Sequence, residues 1–90
     1  ELQHSNEEDL KHLYLILGYS LYENKNYQEA VKYYDKLDDD AKAFYNKGLA
    51  LNELKRFKES AESFKKCIEL DPNFEELEEA YLLWGGALFS

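Results

Sequence analysis

The feature that most constrains the fold is an internal repeat with a spacing of 30 residues. Shifting the chain against itself by that distance aligns glycine with glycine, leucine with leucine, aromatic with aromatic and small with small. The aligned pairs are Gly18 with Gly48, Leu21 with Leu51, Tyr27 with Phe57, Ala30 with Ser60, and Tyr34 with Phe64. Such a pattern indicates a repeated supersecondary unit, whose copies stack to bury a shared core.

The spacing of apolar residues predicts that each unit is helical. Apolar residues recur every three or four positions, and the alternation typical of strands is absent. A capping box formed by Ser5 and Glu8 predicts the first helix start, the acidic run 38–40 ends the second helix and caps the third, and Pro72 follows the fourth. We therefore expect five helices and no sheet, at about 7–23, 27–37, 40–54, 57–70 and 75–90.

The five helices differ in character, and this difference predicts two layers. The first, third and fifth are apolar on more than one face, whereas the second and fourth have one charged face. A helix that is apolar on two faces lies between two surfaces, so the odd helices should form the inner layer. Ninety residues are enough for a single core of this kind.

The repeated residues also resemble a known motif. The first unit reads Tyr14-x-x-Leu17-Gly18-x-x-Leu21, then Ala30-x-x-x-Tyr34; the second unit closes with Pro72, and Tyr81-x-x-Trp84-Gly85-x-x-Leu88 resembles a third opening. This pattern resembles the tetratricopeptide repeat (TPR) family. The resemblance implies an all-α, helical-hairpin solenoid of five antiparallel helices. It divides one domain, 1–90, a fragment of a longer protein, into repeats at about 7–38 and 40–72 and a half repeat at 75–90.

The motif makes specific packing predictions. Gly18 should oppose the region of Ala30, and Gly48 should oppose Ser60, because small residues let two helices approach closely. The repeats should differ in their linkers and not in their helices. Lys47 stands where the family pattern has a leucine, which leaves the packing of the third helix open.

The resemblance also implies a function. TPR proteins have no chemistry of their own and bind peptides in a concave groove lined by the first helix of each repeat. The leading hypothesis is therefore that the chain binds an apolar or amphipathic partner segment. The candidate groove residues are Leu15, Tyr19, Tyr22, Tyr45, Asn46, Leu49, Asn52 and Phe89.

The alternative hypothesis is self-association, giving a homodimer, because the last helix lacks its partner helix. The apolar residues that would form that contact are Tyr81, Leu82, Leu83, Trp84, Leu88 and Phe89. A third interpretation is that the groove aromatics simply belong to the core. The carboxylate clamp that binds chaperone tails is not expected, because Asn46 alone matches it, while Leu15, Tyr19, Glu79 and Leu83 replace its basic or amide groups.

Charge and composition limit the partners. The net charge of −8 opposes binding to nucleic acid or to an anionic membrane. It divides into −6 over residues 1–40, +4 over 41–68 and −6 over 69–90, and the positive middle is best interpreted as a solvated face. We expect a protein or peptide partner and a cytoplasmic location.

The sequence offers weak catalytic candidates. His4, His12 and Cys67 lack a third group that would complete a nucleophile arrangement, and the acidic run 38–40 is better explained as a turn and helix cap than as a cation loop. We therefore expect no enzyme activity, no catalytic or metal-binding residues and no cofactor.

Overall fold

The computed structural model describes residues 2–73 together with Glu79 and Leu82. This part of the chain contains four helices, α1 (Leu2–Glu23), α2 (Tyr27–Tyr34), α3 (Ala41–Glu53) and α4 (Phe57–Leu70), and no strand. The expectation of five helices is thus replaced by four in the described chain. The predicted fifth helix, 75–90, lies outside the described residues apart from Glu79 and Leu82, which both have helical backbone.

The helices pack mainly against their neighbours in sequence. α1 packs on α2, α2 on α3, and α3 on α4, and α1 also touches α3. Successive hairpins that share contacts in this order fit a helical-hairpin solenoid, as the repeat predicts.

The turns inside the two hairpins are equivalent. After α1, the Asn26 N–H donates to the Leu21 carbonyl at 2.8 Å and the Lys25 N–H donates to the Tyr22 carbonyl at 2.9 Å. This pair of bonds is a Schellman motif, which requires a left-handed residue, and Lys25 has φ 66°. The turn after α3 repeats both bonds 30 residues later, with Lys55 at φ 62°.

The helix starts include one correction. α1 begins at Leu2, so Ser5 lies inside the helix and the predicted capping box is wrong. Neither proline nor glycine stands before Ser5, so nothing stops the helix from extending toward the N-terminus. The cap at Asp40 is confirmed, because its carboxylate accepts hydrogen bonds from the N–H groups of Lys42 and Ala43.

The second helix is shorter than predicted. α2 has 8 residues and ends at Tyr34, whereas α4 has 14, so the helices differ as well as the linkers. The Leu37 N–H donates to the Tyr34 carbonyl at 2.9 Å, which tightens the chain after the helix. Leu37 is nevertheless buried, like Cys67 at the equivalent position. Because α3 begins only four residues after Leu37, the chain has to leave the helix early in order to turn back.

Each hairpin is closed by a glycine that faces an aromatic ring. A Cβ atom at Gly18 would lie 2.6 Å from Cε1 of Tyr34, and one at Gly48 would lie 2.6 Å from Cε1 of Phe64. In the second hairpin the Ser60 hydroxyl donates to the Gly48 carbonyl at 2.8 Å. The prediction that Gly48 opposes Ser60 is confirmed, while the group closest to Gly18 is the Tyr34 ring, one turn beyond Ala30.

Lys47, which replaces the leucine of the family pattern, is accommodated by α2. Its ammonium group forms an ion pair with Asp35 at 2.6 Å and lies 5.9 Å from the centroid of the Phe44 ring. The lysine therefore ties α3 to the end of α2 without entering the core.

Candidate interaction groove

An open groove with a volume of about 680 Å³ lies between α1 and α3. Two facing pairs, His12 with Lys42 and Ile16 with Asn46, are each separated by 30 residues, so the two helices face each other in repeat register. The side chains that line the groove are His12, Leu15, Ile16, Tyr19, Ser20, Glu23, Asn24, Lys42 and Asn46.

Apolar side chains at the centre of this groove are unusually exposed. Ile16 is 52% exposed and Tyr19 is 54% exposed. Leu15 is half-buried, since it also packs against the core cluster that contains Tyr34 and Leu37. The groove therefore has a fixed apolar floor and an exposed apolar wall, which is the usual composition of a protein-binding surface.

The structure brings together three of the eight predicted groove residues, Leu15, Tyr19 and Asn46. Leu49 instead packs against the core cluster of Tyr45, Phe64 and Cys67. Phe89 lies outside the described residues.

Tyr45 requires a correction, because the structure places it in the core and not in the groove. It is only 7% exposed, and its ring packs edge-on against Phe64 with 5.9 Å between centroids. Its hydroxyl donates to a carboxylate oxygen of Glu79 at 2.7 Å. α3 is covered by more neighbours than α1, so its equivalent of the α1 groove stripe is partly buried.

Tyr22 and Asn52 lie at the end of the helices and not among the groove-lining side chains. Tyr22 packs edge-on against Tyr27 with 5.4 Å between ring centroids, and burial raises the pKa of its phenol. The amide oxygen of Asn52 is buried and has no hydrogen-bond partner within the described residues.

Ile16 and Glu23 were missing from the predicted set. Both lie further from the core than the stripe of Leu15, Tyr19 and Tyr22 that the sequence suggested. The spacing could have revealed them, because Ile16 and Glu23 follow His12 and Tyr19 by four residues each and share their face.

The charged groups around the groove are unevenly engaged. The Tyr19 hydroxyl forms a hydrogen bond with Glu23, which raises the pKa of the phenol. At the opposite end, Asp40 caps α3 and Asp39 pairs with Lys11 at 3.4 Å. Among the groove-lining side chains, Lys42 is the only lysine or arginine.

The predicted self-association residues are almost entirely outside the described part of the chain. Leu82 is described and is 75% exposed. The residues that lie outside are Tyr81, Leu83, Trp84, Leu88 and Phe89.

Other kinds of site find little support in the described residues. Within residues 2–73, with Glu79 and Leu82, no three His, Cys, Asp or Glu side chains come together as a metal site. Cys67 is buried in the core between α3 and α4. Across the same part of the chain, each helix is too short or too polar to cross a bilayer.

Two stacked helical hairpins with an open groove define a helical-repeat protein. Profiles of one family, the tetratricopeptide repeat, match residues 13–40 and 41–74, which together include both described hairpins. The chain belongs to the tetratricopeptide repeat family, whose repeats generally mediate protein–protein interaction. No curated protein sequence matches the chain closely enough to be counted as a relative.

Proposed function

We propose that this chain is a protein-interaction module that binds an apolar or amphipathic segment of a partner protein in the groove between α1 and α3. The observation that carries the proposal is the exposure of Ile16 and Tyr19, which are both more than half exposed within the groove. Exposed side chains of this size lose unfavourable contact with water when a partner covers them. The single basic side chain in the lining, Lys42, does not favour the acidic tails that a carboxylate clamp would bind.

The test is a selection of binders from a phage-displayed library of random 12-residue peptides, followed by affinity measurements on the enriched peptides. We expect enrichment of leucine and phenylalanine anchors. Tyr19→Ala should weaken binding by about tenfold or more, as expected for an aromatic hot spot. The melting temperature should remain close to that of the wild type, since Tyr19 is 54% exposed.

Leu13→Ala is the matched control. Leu13 is 47% exposed on the same helix but does not line the groove, so its removal should change affinity by less than about twofold. Failure to enrich any apolar peptide, or equal effects of the two substitutions, would contradict groove binding.

The second candidate function is self-association through the C-terminal segment. The exposure of Leu82, 75%, favours it. Size-exclusion chromatography with light scattering should then show a dimer, and Leu82→Glu should convert it to a monomer. A wild-type monomer at high concentration would rule out this alternative.

A further inference from the structure

The groove between α1 and α3 has one end where both helices terminate. Glu23 is the last residue of α1 and Glu53 is the last residue of α3, and both are exposed. A helix C-terminus carries partial negative charge from its unpaired carbonyl groups, and basic residues in the last turn usually offset it. The last turns of α1 and α3 contain none.

Aromatic groups accompany these carboxylates. Tyr19 holds the Glu23 carboxylate through its hydroxyl, and its ring remains more than half exposed beside it. Tyr22 lies close enough to both glutamates that each raises the pKa of its phenol. The amide oxygen of Asn52, one residue before Glu53, is an acceptor without a hydrogen-bond partner in the described chain.

The lysines of the adjacent turns do not remove this negative charge from the groove. Lys25 and Lys55 follow the two helices, but neither lies among the side chains that line the groove. Within the described residues, neither Glu23 nor Glu53 forms an ion pair with a lysine or arginine. The whole chain, with a net charge of −8, adds a long-range attraction for cations.

From this charge complementarity we infer that the groove's occupant is a basic amphipathic segment, whose Lys or Arg side chain binds at the Glu23–Glu53 end while its apolar side chains cover Ile16 and Tyr19. This inference rests on the proposed function and specifies its ligand. The carboxylates supply an ion pair, and the exposed Tyr19 ring supplies a surface on which an ammonium or guanidinium group can stack.

The test uses the 12-residue peptides enriched by the wild-type protein in the phage selection. These should carry Lys or Arg at one end of the apolar anchors. Replacing that basic residue by glutamine should weaken binding to the wild type by about five- to tenfold. Against the double variant Glu23→Gln with Glu53→Gln, the same replacement should change affinity by less than about twofold.

The control is Glu69→Gln, which removes an exposed carboxylate from α4, away from the groove. It should leave the effect of the peptide substitution unchanged. The inference is overturned if the enriched peptides lack a basic residue, or if glutamine weakens binding equally to the wild type and to the double variant. In that case apolar peptides would still bind in a Tyr19-dependent way, whereas failure of the proposed function would abolish that dependence as well.

Discussion

The ring of Tyr34 occupies the space into which a side chain at position 18 would project, with Cε1 only 2.6 Å from a Cβ built on Gly18. Gly48 and Phe64 have the same relationship at the same distance. The 30-residue repeat is therefore a repeated contact between a glycine and a ring. Because both rings are at least 98% buried, they have little space into which they can move.

Gly18→Ala and Gly48→Ala should each destabilise the protein. In an open helix this substitution stabilises by about 1 kcal/mol. Here the added methyl group collides with a buried ring, and we expect a net loss of about 1 to 3 kcal/mol in the free energy of unfolding, measured by urea denaturation. Gln28→Ala on the exposed face of α2 is the control and should be nearly neutral. A gain in stability at either glycine would show that the rings do not limit the approach of the helices.

Ser60→Ala should cost about 0.5 to 1.5 kcal/mol, because it removes the hydrogen bond to the Gly48 carbonyl. Alanine fits the site sterically, since Ala30 occupies the equivalent position in the first hairpin and is fully buried. Ser63→Ala in the same helix removes a buried hydroxyl that has no bond to Gly48, and it should cost less. Equal losses at the two serines would contradict a specific role for the Ser60 bond.

Tyr34→Phe should be neutral or stabilising by about 1 kcal/mol. The Tyr34 hydroxyl is buried without a hydrogen-bond partner in the described part of the chain, and an unsatisfied buried polar group is costly. Phe64 already occupies the equivalent site. Tyr33→Phe, at the partly exposed neighbour, is the control and should change stability little. A clear loss in Tyr34→Phe would mean that the hydroxyl has a favourable contact.

The same hydroxyl predicts a pH dependence of stability. Burial raises the pKa of the Tyr34 phenol above its ordinary value. Above a pH of about 10 the unfolded chain therefore releases a proton that the folded chain keeps, so stability falls as pH rises, by up to about 1.4 kcal/mol per pH unit. Denaturation between neutral and alkaline pH should show a smaller decrease for Tyr34→Phe than for the wild type; identical slopes would contradict this account.

Lys25→Gly and Lys55→Gly should each stabilise the protein by about 0.5 kcal/mol. Both lysines have positive φ, which is unfavourable for a residue with a side chain and costs glycine nothing sterically. The gain is partly offset by the greater freedom of glycine in the unfolded chain. Lys58→Gly, inside α4, is the control and should lower thermal stability, because its backbone is helical.

The fold could be predicted from sequence wherever a local pattern coincided with the tertiary contact. Gly48 and Ser60 follow a spacing set by the helix crossing, and Asp40 is a strong cap regardless of context. The end of α2 could not be predicted in this way, because it depends on how soon α3 must begin after Leu37. The start of α1 was also wrong, since Ser5 can cap a helix but does not prevent one from extending past it.

The groove could be predicted only in part, for a similar reason. Helical periodicity places Tyr19 and Tyr45 on equivalent stripes, yet Tyr19 is exposed and Tyr45 is buried. The difference comes from the neighbours of each helix: α3 has α2 on one side and α4 on the other, while the described contacts of α1 are with α2 and α3. Equivalent positions in a repeat therefore do not share the same exposure at its first unit.

The most direct test of groove binding is a chemical-shift map of the isotope-labelled protein, titrated with one peptide enriched from the random 12-residue library. The account predicts that the largest amide shifts occur on α1 at Ile16, Tyr19 and Glu23 and on α3 at Lys42 and Asn46. Shifts concentrated on the exposed face of α4, or confined to residues 79–90, would contradict it.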